Sequence, residues 1–111
     1  MDKNLLMSYI FVNTINKRFE WDIYKAIANV SKHGIGFRQA AFVFSDPDIY
    51  IRELPHGNEK RFQVIGQSPL SDVQTITLSV IVTFRHHDTS IRIMSARRAN
   101  RLERIWYERK N

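Results

Sequence analysis

Four side chains that could perform acid–base or phosphate chemistry lie within residues 53–61. They are Glu53, His56, Glu59 and Arg61. A carboxylate and an imidazole held close together can remove and return a proton near neutral pH. An arginine beside them can stabilise negative charge that develops on a phosphoryl group. The segment indicates acid–base chemistry on a phosphate ester, although a solvated polar turn often has the same composition.

The C-terminal segment holds most of the net charge. Residues 92–110 include seven basic and two acidic residues, so they carry +5 of the formal net charge of +6. We predict a final helix capped by Ser95, in which Arg97, Arg101 and Arg104 follow at i, i+4 and i+7. Guanidinium groups can donate two hydrogen bonds to one phosphate. The pattern favours a stripe that binds a phosphate backbone, and the alternative is a helix whose arginines only face water.

The composition bounds the class of protein. A chain of 111 residues can bury one core, and we treat residues 1–111 as a single domain. A pI near 10.0 favours an anionic partner. The absence of cysteine excludes disulfides, thiolate zinc sites and cysteine nucleophiles. It is compatible with a reducing compartment, and we expect a cytoplasmic protein.

Several other classes of site find no support in the sequence. His86 and His87 are neighbours and would point to opposite faces of a strand, so we predict no metal site. No glycine-rich phosphate loop or nucleophile elbow is present, and we expect no cofactor. The apolar run at residues 5–12 is too short to span a bilayer. It is predicted to be the first strand, with no membrane partner.

The apolar periodicity predicts an α+β fold. A first helix is predicted from an N-cap at Asp22 to a C-cap at Gly34. A second begins at Gly36 and stops at Asp46–Pro47, which gives an N-terminal helical hairpin. After this stop the apolar period changes to two, which predicts an antiparallel meander. The predicted architecture is an antiparallel sheet with helices on one face and a C-terminal helix.

Two segments carry a resemblance to a known family. They are FEWDIYKAIANVSKHGIGFRQAAFVFSDP at residues 19–47 and IRIMSARRANRLERIWYE at residues 91–108. With both in view, the chain strongly resembles the BrnT family of toxins. Residues 1–18 lie outside the family motifs. The motif segments read here as Trp21–Phe37, Val43–Pro47, Glu59–Ser68 and Ile91–Glu108.

The resemblance implies a fold, an activity and partners. The implied fold is that of the RelE-like ribonucleases, and the implied activity is RNA cleavage that arrests translation. A separately encoded BrnA-type antitoxin would inhibit the toxin and carry the DNA-binding domain, so that the complex meets operator DNA only through the antitoxin. We expect two toxins and two antitoxins in the complex, because such repressors dimerise to read two-fold operators.

The resemblance also implies an active site. RNA supplies its own nucleophile, the 2′-OH, so we expect cleavage without a metal or a covalent residue. We assign Glu53 as the base and His56 as the acid, with Lys25, Arg61 and Arg85 holding the phosphate. Carried over residue by residue, the family site falls on Lys25, Glu53, His56, Arg61 and Arg85, with Arg97 as a supporting residue and RNA-binding candidate.

This assignment has one geometric requirement and leaves two alternatives. Glu53 and His56 are three residues apart and would face opposite ways on a regular strand, so Pro55 must break the strand. A shortened loop between His56 and Arg61 favours a non-catalytic nucleic-acid- or partner-binding protein that keeps the toxin fold. A further possibility is that the basic face serves only to hold an acidic antitoxin segment.

Overall fold

A six-stranded sheet with helices on both faces makes up residues 8–109, the part of the chain that the computed structural model describes. The predicted α+β class is confirmed. The strand predicted at residues 5–12 begins at Tyr9, and residues 5–7 lie outside the described range. The strands are β1 (Tyr9–Thr14), β2 (Lys17–Asp22), β3 (Tyr50–Leu54), β4 (Arg61–Pro69), β5 (Thr75–Arg85) and β6 (Ser90–Arg98). The helices are α1 (Ile23–His33), α2 (Phe37–Ala41) and α3 (Arg101–Arg109), and a 3-10 helix, Phe42–Ser45, continues α2.

The sheet is mixed, which corrects the predicted antiparallel sheet. Its order is β1-β2-β6-β5-β4-β3, and β3 to β6 form the expected antiparallel meander. β2 and β6 are parallel and pair Phe19 with Ile91 and Glu20 with Arg92. The elements from α1 to β5 lie between β2 and β6 in sequence. These two parallel neighbours are therefore joined by a long crossover connection.

The two helices predicted to form an N-terminal hairpin follow the strand hairpin of β1 and β2, so they are not N-terminal. β1 and β2 precede them, and β2 continues to Asp22. The predicted caps are confirmed: the Asp22 carboxylate accepts a hydrogen bond from the Tyr24 backbone N–H at 3.1 Å, and Gly34 takes a left-handed conformation with φ of 71°. The second helix is shorter than predicted, because α2 ends at Ala41 and the chain then tightens into the 3-10 turn.

Alternate side chains of the central strands form the core beneath α1 and α2. One cross-strand row joins Val64, Val80 and Ala96, all of which are fully buried. Gly66 belongs to the same face, and a Cβ there would lie 2.9 Å from the Ile49 side chain. The chain around the 3-10 helix therefore packs directly against the backbone of β4, and the polar side chains of these strands are left on the opposite face.

The hydrogen bonds of Asn29 fasten α1 to the sheet. Its amide nitrogen donates to the carbonyl oxygens of Ile35 at 2.9 Å and Ala96 at 2.8 Å. Its amide oxygen accepts from the Ala96 backbone N–H at 3.1 Å. β2 pairs with only the first part of β6, so the Ala96 backbone needs another partner on that side. Asn29 completes this edge of β6 as a neighbouring strand would.

α3 lies over the opposite face and begins with a reciprocal cap. The Glu103 backbone N–H donates to the side-chain oxygen of Asn100, and the Asn100 N–H donates to the Glu103 carboxylate, both at 2.9 Å. The predicted cap at Ser95 is wrong, because β6 continues to Arg98. Two residues, Ala99 and Asn100, separate the strand from the helix.

The Glu103 carboxylate links α3 to the polar face. Arg97 donates to both of its oxygens, at 2.7 and 2.8 Å, and Gln63 donates at 2.6 Å. Glu103 itself is buried. The hydrogen bonds from Arg97 lower the pKa of Glu103 to about 2, since they outweigh the opposing effect of burial. The ionised carboxylate therefore holds α3 on the sheet.

We expect Glu103→Gln to make the free energy of unfolding depend less on pH at acidic pH. A carboxyl whose pKa is lowered on folding contributes stability above its unfolded pKa, and that stability is lost as the pH falls toward the folded value. The parent should therefore lose about 2 to 3 kcal/mol more than the variant in free energy of unfolding between pH 5 and pH 2. Urea denaturation across that range measures the difference. Glu108→Gln, at an exposed position on the same helix, is the matched control, and parallel curves for parent and Glu103→Gln would contradict the assignment.

Candidate active site

A cleft of about 200 Å³ opens on the polar face of the sheet next to α1. The start of β4, the end of β5, the middle of β6 and the first turn of α1 all contribute to it. Four of its side chains are basic and two are acidic, so the cleft carries an excess of positive charge. The lining residues are Tyr9, Asp22, Lys25, Glu59, Arg61, Arg85, Arg92, Ile93 and Met94.

Glu59 lies between two arginines of the cleft. The Arg61 Nε donates to one carboxylate oxygen at 3.1 Å, and the Arg85 guanidinium donates to the other. The hydrogen bond from Arg61 lowers the pKa of Glu59, with the charges of Arg85 and His56 adding to the effect against the opposing influence of burial. Glu59 is thus ionised at neutral pH. The arrangement orients two guanidinium groups toward one anionic group.

A tight turn brings His56 next to Glu59. The Glu59 backbone N–H donates to the His56 carbonyl at 3.2 Å, and Gly57 takes the positive φ of 53° that such a turn requires. β3 ends at Leu54, so the strand does break before Pro55, as the proposed chemistry requires. The imidazole and a carboxylate are close enough for the charge of His56 to act on the pKa of Glu59.

Glu53 does not join this group. Arg61 pairs across the strands with Leu54, whereas Glu53 pairs with Phe62. Successive side chains alternate between faces, so Glu53 projects to the side opposite Arg61. Its carboxylate is more than half exposed and lies 4.0 Å from the Lys60 ammonium. Of the carboxylates in the polar loop, the structure therefore brings Glu59, and not Glu53, to the arginines.

The structure adds Arg92 and Glu20, which sequence reasoning missed. Arg92 donates to one oxygen of Glu20 at 2.8 and 2.6 Å, and His86 Nε2 lies 3.1 Å from the other. Burial raises the pKa of the Glu20 carboxyl, but the interactions with Arg92 and His86 outweigh it and the pKa is lowered. The alternation of Arg92 with Ile91 and Ile93 was an available signal for the polar face. Nothing in the local sequence indicated the parallel pairing of β2 with β6, which brings Glu20 next to Arg92.

A wider groove of about 850 Å³ adjoins the cleft and shares Glu59 and Arg85 with it. Phe62 and Phe84 also line this groove, with their rings packed edge to face and their centroids 5.3 Å apart. Aromatic rings beside arginines offer a nucleotide both stacking and charge contacts.

The predicted arginine stripe is corrected by the structure. Arg97 belongs to β6 and is bound to Glu103, so it does not share a helix with Arg101 and Arg104. The latter two are exposed on α3, and Arg104 also donates to the Ala99 carbonyl at 2.8 Å. Arg101 and Arg104 thus keep their guanidinium groups at the surface, whereas Arg97 serves the fold.

Residues 8–109 contain no group of three His, Asp or Glu side chains arranged to hold a metal ion. Within the same range, no helix has the length and apolar character needed to cross a membrane.

A protein family described as "Ribonuclease toxin, BrnT, of type II toxin-antitoxin system" matches residues 21–103. The chain belongs to the BrnT family. The match extends from the end of β2 into α3 and includes every basic residue of the cleft. No individually curated protein matches the chain. As a member of this BrnT family, the protein is a ribonuclease toxin, and the type II system implies an antitoxin partner and an RNA target.

We expect substitutions of the three arginines to separate folding from RNA binding. Arg97→Ala would leave Glu103 buried without its charged partner and should lower the free energy of unfolding by about 2 kcal/mol. Arg101→Ala and Arg104→Ala should leave stability unchanged but weaken RNA binding at every sequence and reduce its salt dependence. Thermal unfolding and RNA titrations at several salt concentrations give both quantities. Unchanged RNA binding by folded Arg101→Ala and Arg104→Ala proteins would mean that these arginines only face water.

Proposed function

We propose that this BrnT-family toxin is a metal-independent endoribonuclease with a RelE-like fold that cleaves RNA in the cytoplasm and so inhibits translation. The observation that carries the proposal is the pair of guanidinium groups, from Arg61 and Arg85, that converge on one carboxylate in a cationic cleft. Guanidinium groups that each donate a hydrogen bond to a carboxylate can donate to a phosphate in the same way.

The proposed reaction uses the 2′-OH of the RNA as the nucleophile. A base removes the 2′-OH proton while the 2′-oxygen forms a bond to phosphorus. The bond from phosphorus to the 5′-oxygen breaks, and an acid protonates that leaving oxygen. The products are a 2′,3′-cyclic phosphate and a 5′-hydroxyl. Cationic side chains stabilise the additional negative charge on the phosphoryl oxygens in the transition state.

Arg61 and Arg85 now bind the Glu59 carboxylate, and in the reaction they would bind the scissile phosphate instead. The Arg85 Nε is buried and has no hydrogen-bond partner among the described residues, so this guanidinium has a further donor to offer when the side chain moves. Lys25 lines the same cleft from α1 and would contact the phosphate from the other side. We keep these three residues in the roles that the family resemblance implies.

A phosphate that displaces the Glu59 carboxylate from Arg61 would also make Glu59 a stronger base. The pKa of Glu59 is lowered chiefly by its hydrogen bond from Arg61, and a phosphate that takes this donor would remove the largest cause of the lowering. Glu59 would then accept a proton more readily at the moment the 2′-OH is close. We therefore propose Glu59 as the base in place of Glu53, and His56 of the same turn as the acid.

The two glutamates make a matched test of this site. We expect Glu59→Gln to lower the rate of RNA cleavage about 10²-fold or more, since it removes the carboxylate that Arg61 and Arg85 bind. Glu53→Gln makes the same change on the other face of the strand pair and should leave the rate within about threefold, because it does not reach the cleft. Single-turnover cleavage of a defined RNA by the folded variants measures both. The reverse ranking would restore Glu53 as the base.

The products and the effect of a chelator test the mechanism. Cleavage by the purified toxin should continue in excess EDTA and leave a 2′,3′-cyclic phosphate, because the 2′-OH is the nucleophile and the arginines supply the positive charge. End-labelled fragments resolved before and after acid treatment identify the terminus. A 3′-hydroxyl product or a chelator-sensitive rate would contradict the metal-independent mechanism. A folded protein that binds RNA without cleaving it would favour the non-catalytic alternative.

The proposed partner is a BrnA-type antitoxin, bound as two toxins and two antitoxins, with operator DNA contacted by the antitoxin alone. The type II assignment supports an antitoxin in general, and the positive charge of the chain suits an acidic inhibitor.

A further inference from the structure

The groove beside the cleft lies where two strands of the sheet diverge. β4 pairs with β5 from Phe62 onward, whereas β5 continues past this pairing to Arg85. The Thr83 hydroxyl donates to the Lys60 carbonyl at 2.8 Å and so holds the loop before β4 beside the end of β5. The space of about 850 Å³ between this loop and the β5–β6 turn is the groove. The fold itself therefore forms the groove, and no ligand is needed to open it.

Two aromatic rings give the groove a surface on which a base can stack. The rings of Phe62 and Phe84 pack edge to face at 65°, with centroids 5.3 Å apart, and both residues are only partly buried. Unpaired bases of single-stranded RNA stack on aromatic side chains of this kind. Stacking alone accepts every base, so a preference among the bases must come from polar groups of the groove.

Asp88 supplies a carboxylate to the wall of this groove. It lies in the β5–β6 turn, where His86, His87 and Asp88 take positive φ values of 54°, 55° and 66°. The Thr89 backbone N–H and hydroxyl both donate to the His86 carbonyl, at 3.2 and 2.6 Å, and close the turn. Within residues 8–109 the Asp88 carboxylate has no ion-pair or hydrogen-bond partner. The turn thus presents a hydrogen-bond acceptor to a ligand in the groove.

A carboxylate accepts hydrogen bonds but does not donate them, and this property distinguishes the four bases. Guanine presents two donors side by side on its Watson–Crick edge, N1–H and the 2-amino group, which match the two oxygens of one carboxylate. On the same edge, adenine, cytosine and uracil each place an acceptor next to their single donor group, and that acceptor would face the carboxylate. We propose that the groove binds a guanine base, which stacks on the Phe62–Phe84 pair and donates through N1–H and its amino group to Asp88.

The neighbouring cleft determines which nucleotide of the RNA carries this base. Glu59 and Arg85 line both the groove and the cleft. Glu59 is the proposed base for the 2′-OH, and Arg85 is one of the proposed phosphate ligands. The ribose whose 2′-OH attacks therefore lies where groove and cleft meet, with its own base in the groove and its 3′-phosphate in the cleft. This inference rests on the proposed function, and it predicts cleavage on the 3′ side of guanosine.

The test uses the full chain and short oligonucleotides in which one nucleotide has a 2′-OH and all the others carry 2′-fluorine. Attack by a 2′-OH is then confined to one bond, and the nucleotide before it is guanosine, inosine, adenosine or uridine. Single-turnover cleavage after guanosine should be about 10-fold faster than after inosine, which lacks only the 2-amino group, and faster still than after adenosine or uridine. Fully 2′-fluorinated versions cannot be cleaved in this way, and their Kd values should follow the same order.

Asp88→Asn removes the carboxylate and should keep the turn, because asparagine adopts a positive φ as readily as aspartate. We expect it to slow cleavage after guanosine about 10-fold or more and to reduce the preference for guanosine over inosine to about twofold or less. The matched control is Asp72→Asn, the same change of charge at an exposed position that does not line the groove, and it should keep the preference of the parent. The base series with the parent tests the proposal even if Asp88→Asn does not fold.

Three results would overturn the proposal. Equal cleavage rates and equal Kd values for all four nucleotides would mean that the groove does not read a base. A guanosine preference that a folded Asp88→Asn protein keeps would exclude Asp88 as the acceptor, and a preference that both variants lose would reflect net charge alone. If the parent cleaves none of the substrates but binds the fluorinated guanosine oligonucleotide best, the proposed activity fails while the guanine site stands.

Discussion

Four arginines that bind carboxylates on the polar face of the sheet set the main constraint on this fold. Unpaired guanidinium groups packed side by side would repel one another, and those partly removed from water need anionic partners. Each of the four has a carboxylate, and the three carboxylates come from three distant parts of the chain. The groups are Glu20 with Arg92, Glu103 with Arg97, and Glu59 with both Arg61 and Arg85.

The three carboxylates differ in how deeply they are buried, and this difference distinguishes the ion pairs that stabilise the fold from the one in the cleft. Glu20 is fully buried and Glu103 nearly so, and breaking either pair would strand a charge inside the protein. Glu59 is partly exposed, sits at the wall of the cleft and divides its two oxygens between two arginines. Release of this carboxylate from the arginines would not leave a charge buried and unpaired, as the proposed exchange with a phosphate requires. The same type of interaction is thus buried at two places, where it fixes the sheet, and partly open to solvent at the third.

Local signals in the sequence predicted the local structure. They do not determine which face of the sheet each side chain occupies, and the site depends on that. The caps at Asp22 and Gly34 and the meander from β3 to β6 rest on neighbouring residues, which is why they could be predicted. Arg92 and Arg97 are five residues apart, which would put them on opposite faces of a regular strand, but the register shifts beside Met94 and brings both to the polar face. The choice of Glu59 over Glu53 likewise follows from cross-strand register.

The short contact between β2 and β6 determines how α1 is attached to the sheet and so positions one wall of the cleft. Because β2 pairs with only the start of β6, Ala96 needs a polar partner, and Asn29 meets that need from a helix. A helix held in this way has its orientation set by hydrogen bonds, and its apolar residues Ile23, Ile27 and Val30 stay exposed. The same orientation places Lys25 at the cleft. The part of β6 that β2 leaves without a strand partner thus determines how α1 brings Lys25 to the cleft.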